Sequence, residues 1–332
     1  MLNEKSIKVS VISTVKNEER TIRELIDTLF SQTRLPDEVI IVDAGSTDRT
    51  VPIIRSYVEK GYPIKLIIEK GANISRGLNI SVENASFDII ACTHAGCRLD
   101  KRWLEKIVQP FLEDKNVEVV AGWYEADAKT DFEKIIAAIT CPQLAKVLKK
   151  PDKYIPPSRS IAFRKHCWEK VGGFPEWLRS AEDTYFAIML KKNNCKFFFN
   201  PEAKVYWKVS SNLSDFFKRY YFYAVGDGQA RLFLKRYFLL LALYILGTLL
   251  FLMSIYFKSI ELQMVLIFLV AAYFLKDLIK VKNAGYNNIR LRSLFWLFFV
   301  RISLDISRII GFLAGLRKGK SEKRIKIASK IN

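Results

Sequence analysis

The chain has 332 residues, half of them hydrophobic, with 53 Lys and Arg against 34 Asp and Glu and a formal charge of +19. That apolar content excludes a mainly disordered chain, and five cysteines are too few, and odd in number, for a disulfide-stapled scaffold. The length sets a prior of roughly two domains, and the odd cysteine count points to a reducing compartment. The charge fits nucleic acid, a membrane surface or a phosphorylated substrate, and its placement along the chain has to decide. Met1–Lys8 carries charges and no apolar core, so no secretory leader is expected.

In chain order, Val9–Thr14, Glu38–Asp43, Ile64–Glu69 and Phe87–His94 are short Val- and Ile-rich runs that read as buried parallel strands. Asn17 followed by Glu18 and Glu19 reads as a capped helix start, with Ile22, Leu25, Ile26, Leu29 and Phe30 on one helical face. Thr47–Tyr57 and Ile74–Val82 read as further helices. The alternation predicts an α/β domain with a Rossmann-like, mostly parallel sheet and ligands beyond the carboxyl ends of its strands.

Near residue 236 the composition changes. Tyr237–Phe257 is 21 residues without a charge, roughly 30 Å as a helix and enough to cross a bilayer. Leu262–Leu275 is a second uncharged run of 14 residues, which spans only by extending through Lys276 and Asp277. In Ser293–Leu316, Arg301, Asp305 and Arg308 share one face opposite Leu294, Phe295, Leu297, Phe298 and Ile309. That pattern predicts an interfacial helix, with a third span paired through its charges as the alternative. The basic residues Lys276, Lys280, Lys282, Arg290 and Arg292, and then Arg317, Lys318, Lys320, Lys323, Arg324 and Lys326, place the N-terminal domain and the tail on the cytoplasmic side of the cell membrane. They also draw anionic lipid, which accounts for much of the charge without a nucleic-acid partner. The expected organisation is a catalytic domain over 1–235, membrane helices over 236–316 and a basic tail over 317–332. Within the first, a nucleotide-binding half covers about 1–100 and an acceptor half about 101–235.

Four segments carry chemistry together: Val9–Glu19, Val39–Asp48, Val171–Glu176 with its glycine pair, and Ala181–Asp183. In their order and spacing they resemble the family 2 glycosyltransferases, inverting nucleotide-sugar enzymes of the GT-A fold, over about residues 7–230. Taken alone, Asp43 ends a strand where the sheet opens to ligand and can accept from a base N–H or a ribose hydroxyl; the resemblance implies the base contact. It further implies that Glu18 holds the nucleoside, that Arg76 faces the nucleotide, and that Gly172, Gly173 and Phe174 line the donor-sugar and acceptor pocket. Asp48 reads instead as a first-turn helix residue. Inverting transfer needs one general base for the acceptor hydroxyl, because the departing nucleoside diphosphate needs little protonation. The resemblance gives that role to Asp183, with Glu182 beside it to orient the acceptor or Arg179.

The sequence departs from the family at Ala91–Arg98. Members usually place two acids there, spaced by one, to help bind Mn²⁺ or Mg²⁺; here His94 and Gly96 stand in their places. His94 is then the one candidate metal ligand, since imidazole accepts Mn²⁺ or softer ions. Arg98 or nearby lysines are candidates to neutralise the leaving diphosphate. A zinc site from Cys92, His94 and Cys97 lacks standard spacing and a fourth ligand, so these cysteines read as core. Val205–Lys208 lacks the histidine that members often carry there, and His166 reads as a surface helix residue. Asp215–Tyr223 mixes bases and aromatics just before the apolar runs, which suits a helix at the headgroup level that delivers a lipid-borne acceptor.

The expected protein is a membrane-anchored glycosyltransferase acting on an acceptor such as a polyprenyl phosphate or a lipid-linked glycan. The alternative is a weak or inactive membrane-bound subunit that only binds the sugar nucleotide. Nucleotidyl transfer would need a Gly-rich loop after the first strand, and Thr14–Glu18 has none. Processive polymer synthesis would need more spans than this sequence shows.

Overall fold

The computed structural model describes residues 7–285 and 291–319. Arg290, Lys320, Lys323, Arg324, Lys326 and the start of the stretch read for a leader lie outside the described residues, as does most of the expected tail. The chain folds as two units. One comprises the chain up to Asp127 together with Leu144–Lys208, the other Ala128–Gln143 with the chain from Val209 onward.

The first unit begins with β1 (Val9–Val15), α1 (Ile22–Phe30), β2 (Glu38–Asp43), α2 (Thr50–Glu59), β3 (Ile64–Ile68), α3 (Ile74–Glu83) and β4 (Ile89–Cys92). It continues through β5 (Cys97–Leu99), α4 (Trp103–Glu113) and β6 (Val119–Ala126). After the second unit's α5 (Asp131–Thr140) come α6 (Leu144–Leu148), β7 (Ile161–Arg164), α7 (Lys165–Val171), α8 (Glu182–Lys192) and β8 (Phe197–Trp207). The eight strands form one sheet in the order β3-β2-β1-β4-β7-β6-β8-β5. Strands β1 to β4 pair in parallel, as helical crossovers demand. From β4 onward the sheet is mixed: β7 is antiparallel to both β4 and β6, β6 is parallel to β8, and β5 is antiparallel to β8. The loop ahead of β7 brings that strand in against the others, with no crossover helix immediately before it to keep the direction.

Alternation along the strands builds a core on each face. Val9, Val11, Val39 and Ile41 pack with Leu25, Leu29, Ile54 and Ile107. Ile12, Ile40 and Val42 pack on the other side with Leu78, Cys167, Phe174, Phe186 and Leu190. Burial on both faces is why these strands read as unbroken apolar runs. Helix α3 lies so close to β1 that a Cβ on Gly77 would sit 2.2 Å from Thr14 Oγ1.

Two expected helix starts are corrected. Asn17 does not cap α1, which begins at Ile22 without a side-chain cap; Asn17 is left-handed, at φ 56°, and its polar groups bond to the loop after β2. Asp48 precedes α2 rather than lying in its first turn, and its Oδ1 accepts from the Thr50 backbone N–H at 3.0 Å.

The second unit holds α5, α9 (Leu213–Gln229), α10 (Leu234–Tyr256), α11 (Ile260–Asn283) and α12 (Leu291–Lys318). Among the described residues, α10 and α11 are the helices long and apolar enough to cross a membrane, and nearly all of their surface is uncovered. α11 carries the second apolar run on through Lys276 and Asp277. The charged face read along α12 turns inward. Arg301 and Asp305 are buried: Arg301 donates to Asp305 at 2.9 Å and to Asp277 of α11 at 3.2 Å. Tyr244 of α10 and Tyr273 of α11 also donate to Asp305, at 3.0 and 2.6 Å. A charge face inside an apolar bundle is tolerated because each ion is paired and hydrogen-bonded. Helix α9 groups with α12 because small residues let their backbones touch: a Cβ on Gly315 would meet the Val225 carbonyl oxygen at 2.1 Å.

Replacing Gly77 by Ala overpacks the α3–β1 contact and is expected to cost about 1–3 kcal/mol. Urea unfolding measures it, and Thr14→Ala in the same chain recovers most of the loss. A G77A chain as stable as the parent would contradict the close contact.

Candidate active site

The loops after β1 and β2 are stitched into one rim. Asn17 N–H donates to Ser46 Oγ at 2.8 Å, Thr47 N–H to Asn17 Oδ1 at 2.9 Å, Glu18 N–H to Thr50 Oγ1 at 2.7 Å and Glu19 N–H to Asp48 Oδ2 at 3.1 Å. Glu18 is half-buried on this rim, and its carboxylate accepts from the Thr21 hydroxyl. Asp43 closes β2 fully buried. Its Oδ1 accepts from the backbone N–H of Gly45 at 2.9 Å and of Ser46 at 2.8 Å, and its Oδ2 from the Ser46 hydroxyl. As folded, Asp43 therefore holds its own loop, and a base N–H reaches it only when residues 44–49 shift.

Helix α3 positions the next group. Asn73 caps it by accepting from the Arg76 backbone N–H. The Arg76 side chain is two-fifths exposed and lies 3.8 Å from Glu69 and 3.6 Å from Glu176. Asn79 binds the glycine loop to this helix: its Oδ1 accepts from Phe174 N–H at 2.8 Å and from Trp168 Nε1 at 3.0 Å, and its Nδ2 donates to Phe174 O at 3.0 Å. Gly173, at φ 78°, has room for no side chain, since a Cβ would meet Asn79 Oδ1 at 2.8 Å. The expectation that Phe174 lines a pocket is corrected: its ring is buried and stacks on Phe186 at 4.0 Å, so it anchors the loop from within the core. Gly172 has open space around it, so of the three it is the one a ligand could approach.

The main cluster forms beyond β4. His94 Nε2 is 2.7 Å from Ser158 Oγ, and Ser158 N–H points at Asp183 Oδ2 at 3.4 Å. Asp183 is half-buried in the first turn of α8, where the helix dipole favours an anion, and its Oδ1 accepts from Thr184 N–H at 2.6 Å. Glu182 beside it is buried. Ala181 enters this turn in the left-handed region at φ 59°, a backbone cost of about 1 kcal/mol for a residue with a Cβ. Arg159 completes the group. Its guanidinium lies over Trp207 at 4.2 Å and Tyr124 at 4.7 Å, and its charge is felt at His94, Cys97 and Glu182. Glu18 is felt at Cys97 too, so the rim and the cluster adjoin.

The electrostatics separate the roles of these groups. Burial, then the charge of Asp183, raises Glu182 from the usual carboxyl value to about 8, so it holds a proton at neutral pH. Burial, then Arg159, pushes His94 down to about 4, so its ring is neutral. Burial drives the Cys92 thiol up, with Asp183 and Glu182 adding to it, so Cys92 is no nucleophile.

Of the residues read from sequence, the fold brings His94, Glu182 and Asp183 together, sets Glu18 near them, and leaves Arg76 at the α3 end of the glycine loop. Arg98 is engaged elsewhere, over Tyr206 at 4.1 Å. Arg159 and Ser158 were not read from the sequence; the one local signal is the rigid Pro156–Pro157 step before them. His94 offers an imidazole beside the Ser158 hydroxyl, a donor that Mn²⁺ accepts more readily than Mg²⁺ does.

Residues 10–171 match the model of glycosyl transferase family 2. The probable glycosyltransferase YdaM of Bacillus subtilis is 27% identical over 222 residues, which are 61% of this chain and 52% of that protein. Glycosyltransferase AglE of Haloferax volcanii is 28% identical over 54% of this chain and 59% of its own length. The chain thus spans little more than half the length of these curated relatives. The mannosyltransferase PcManGT of Pyrobaculum calidifontis, solved with GDP-Man and Mn²⁺, shares the fold with a TM-score of 0.57, at 17% identity over 94% of this chain and 88% of that one. Strand order, motif order and these likenesses converge: residues 10–171 are similar to the glycosyl transferase family 2 domain, on a fold shared with the solved mannosyltransferase.

Proposed function

We propose that the chain transfers a sugar from a nucleotide-diphosphate sugar to an acceptor hydroxyl or phosphate with inversion, Asp183 being the general base. The observation that carries this is the half-buried Asp183 carboxylate beside a protonated Glu182, a neutral His94 and the cation of Arg159. Asp183 takes the proton as the acceptor oxygen attacks the anomeric carbon, and the bond to the diphosphate breaks on the opposite side. The negative charge that leaves with the diphosphate is met by Arg159, which its two aromatic neighbours hold in place. Glu182, carrying its proton, donates a hydrogen bond and does not compete as a base. Glu18, Asp43 and Arg76 hold the nucleoside, with the loop after β2 opening to free Asp43. Gly172 and Gly173 shape the loop against which the donor sugar rests. An Mn²⁺ ion would be held by His94 and the donor diphosphate, and when bound would add Lewis-acid neutralisation there.

The apolar helices α10 and α11 support a membrane anchor. Lys276, Lys280, Lys282, Arg317 and Lys318 support a cytoplasmic face for the catalytic unit. An anchored enzyme favours a lipid-linked acceptor, a polyprenyl phosphate or a growing lipid-linked glycan, over a free sugar. The absence of an acidic pair at residues 94 and 96 favours a second reading, a subunit that only binds the donor.

Nucleotide release with a panel of donors separates the two readings. Asp183→Asn is expected to lower kcat by about 10²–10⁴ with little change in the donor KM. A rate within threefold of the parent removes Asp183 as the base, and a parent without turnover on any donor and metal supports the binding subunit. Arg159→Gln is expected to cost roughly tenfold or more in kcat/KM, and unchanged kinetics would remove Arg159 from the site. Glu182 has its own signature in stability. Between its ordinary value of 4.5 and about 8, the unfolded chain gives up this proton while the folded chain keeps it, so stability falls as pH rises and levels off above about 8. Glu182→Gln is expected to flatten that slope in urea titrations between pH 5 and 8.

A further inference from the structure

Glu118, just ahead of β6, meets the start of α7, and its other oxygen takes the Lys196 N–H in the turn after α8. His166 Nε2 is 2.9 Å from Glu118 Oε1 and 3.5 Å from Cys167 Sγ, and all three ligand atoms lie within 4.8 Å of one another. The Cys167 thiol in turn donates to Cys195. Three residues thus bring one sulfur, one imidazole nitrogen and one carboxylate oxygen together, and Cys195, hydrogen-bonded to Cys167, is the neighbour that can turn in as a fourth ligand. From these contacts we propose that Glu118, His166, Cys167 and Cys195 form a structural zinc site.

The spacing suits the ion. Bonds of about 2.3 Å to sulfur and about 2.1 Å to nitrogen or oxygen at tetrahedral angles put sulfur and nitrogen about 3.6 Å apart, and nitrogen and oxygen about 3.4 Å. The observed 3.5 and 2.9 Å need only a small opening of the histidine–carboxylate pair. Glu118 is already oriented, because its Oε2 accepts from Lys196 N–H at 2.8 Å. Cys195 is held by its N–H to Leu190 O at 3.0 Å, after a left-handed turn at Asn194 with φ 57°. Both cysteines are buried, which keeps the metal dry, while His166 is half-exposed and gives the ion a way in. Two thiolates and a carboxylate leave the filled site at −1, and Lys170 stands close enough to Glu118 and both cysteines to balance it. Thiols, not thiolates, occupy the metal-free site, so loading releases two protons and tightens as pH rises.

The site is at the far end of α8 from Asp183, and the 11 residues between its ends put it about 16 Å from the chemistry. Its role is to fasten the end of the helix that carries the base to α7 and β6. It is independent of glycosyl transfer, and Asp183→Asn is expected to keep its zinc.

The test uses the full chain in detergent, with zinc counted by elemental analysis after dialysis. One zinc per chain is expected, and stripped protein should take up Co²⁺ with thiolate-to-metal charge-transfer absorption. Cys195→Ser should lose the zinc. His166→Ala, at an exposed position that folding tolerates, should weaken zinc binding at least about tenfold. Cys141→Ser, at a position outside the cluster, should leave the count unchanged. Three results would each overturn the site: a parent that holds no zinc and gives no thiolate band with cobalt, a C195S chain with undiminished zinc, or a native chain two hydrogens lighter through a Cys167–Cys195 disulfide.

Discussion

A single guanidinium governs the ligand end of the sheet. Arg159 lies over the rings of Trp207 and Tyr124, from two neighbouring strands, and that packing helps to fix its position. A fixed cation there has two effects. It adds to the burial that disfavours protonation of His94, and it opposes the burial that keeps Glu182 protonated. At the end of β4 and in the loop before β7 the chain sets a neutral imidazole and an arginine close together.

The parallel half of the fold is legible in the sequence because of its burial. β2 begins and ends where Glu38–Asp43 reads as a strand, since every residue after Glu38 is buried on one face or the other. The antiparallel half is not legible. β7 has four residues and β5 three, too short for periodicity to show, and their partners are distant in the chain. The helix starts fail for a related reason. Asn17 has the composition of a cap, yet its hydrogen bonds go across to the loop after β2, a choice made by tertiary contact, while Asp48 divides its carboxylate between Glu19 N–H across the rim and Thr50 beside it.

The same limit applies to the site. Asp183 and Glu182 are visible as an acidic step at the head of an apolar helix, and His94 as a residue at a strand end. Arg159 has no pattern around it, because what places it beside His94 is supplied by Tyr124 and Trp207 from elsewhere in the chain. Phe174 shows the converse. A glycine pair marks a tight loop, and the ring that follows is an anchor in the core, which the sequence alone does not distinguish from a pocket wall.

In the second unit, charge placement reverses an amphipathic reading. Arg301 and Asp305 recur at helical spacing, a pattern equally suited to a wet face or to a seam between helices. The carboxylate of Asp277 on α11 and the hydroxyls of Tyr244 and Tyr273 decide for the seam, because together they satisfy both ions. An ion pair satisfied in this way is compatible with an apolar surround, and removing one partner would leave the other uncompensated. The apolar faces of α10 and α11 then remain uncovered, and α12 is tied to both helices through its charges.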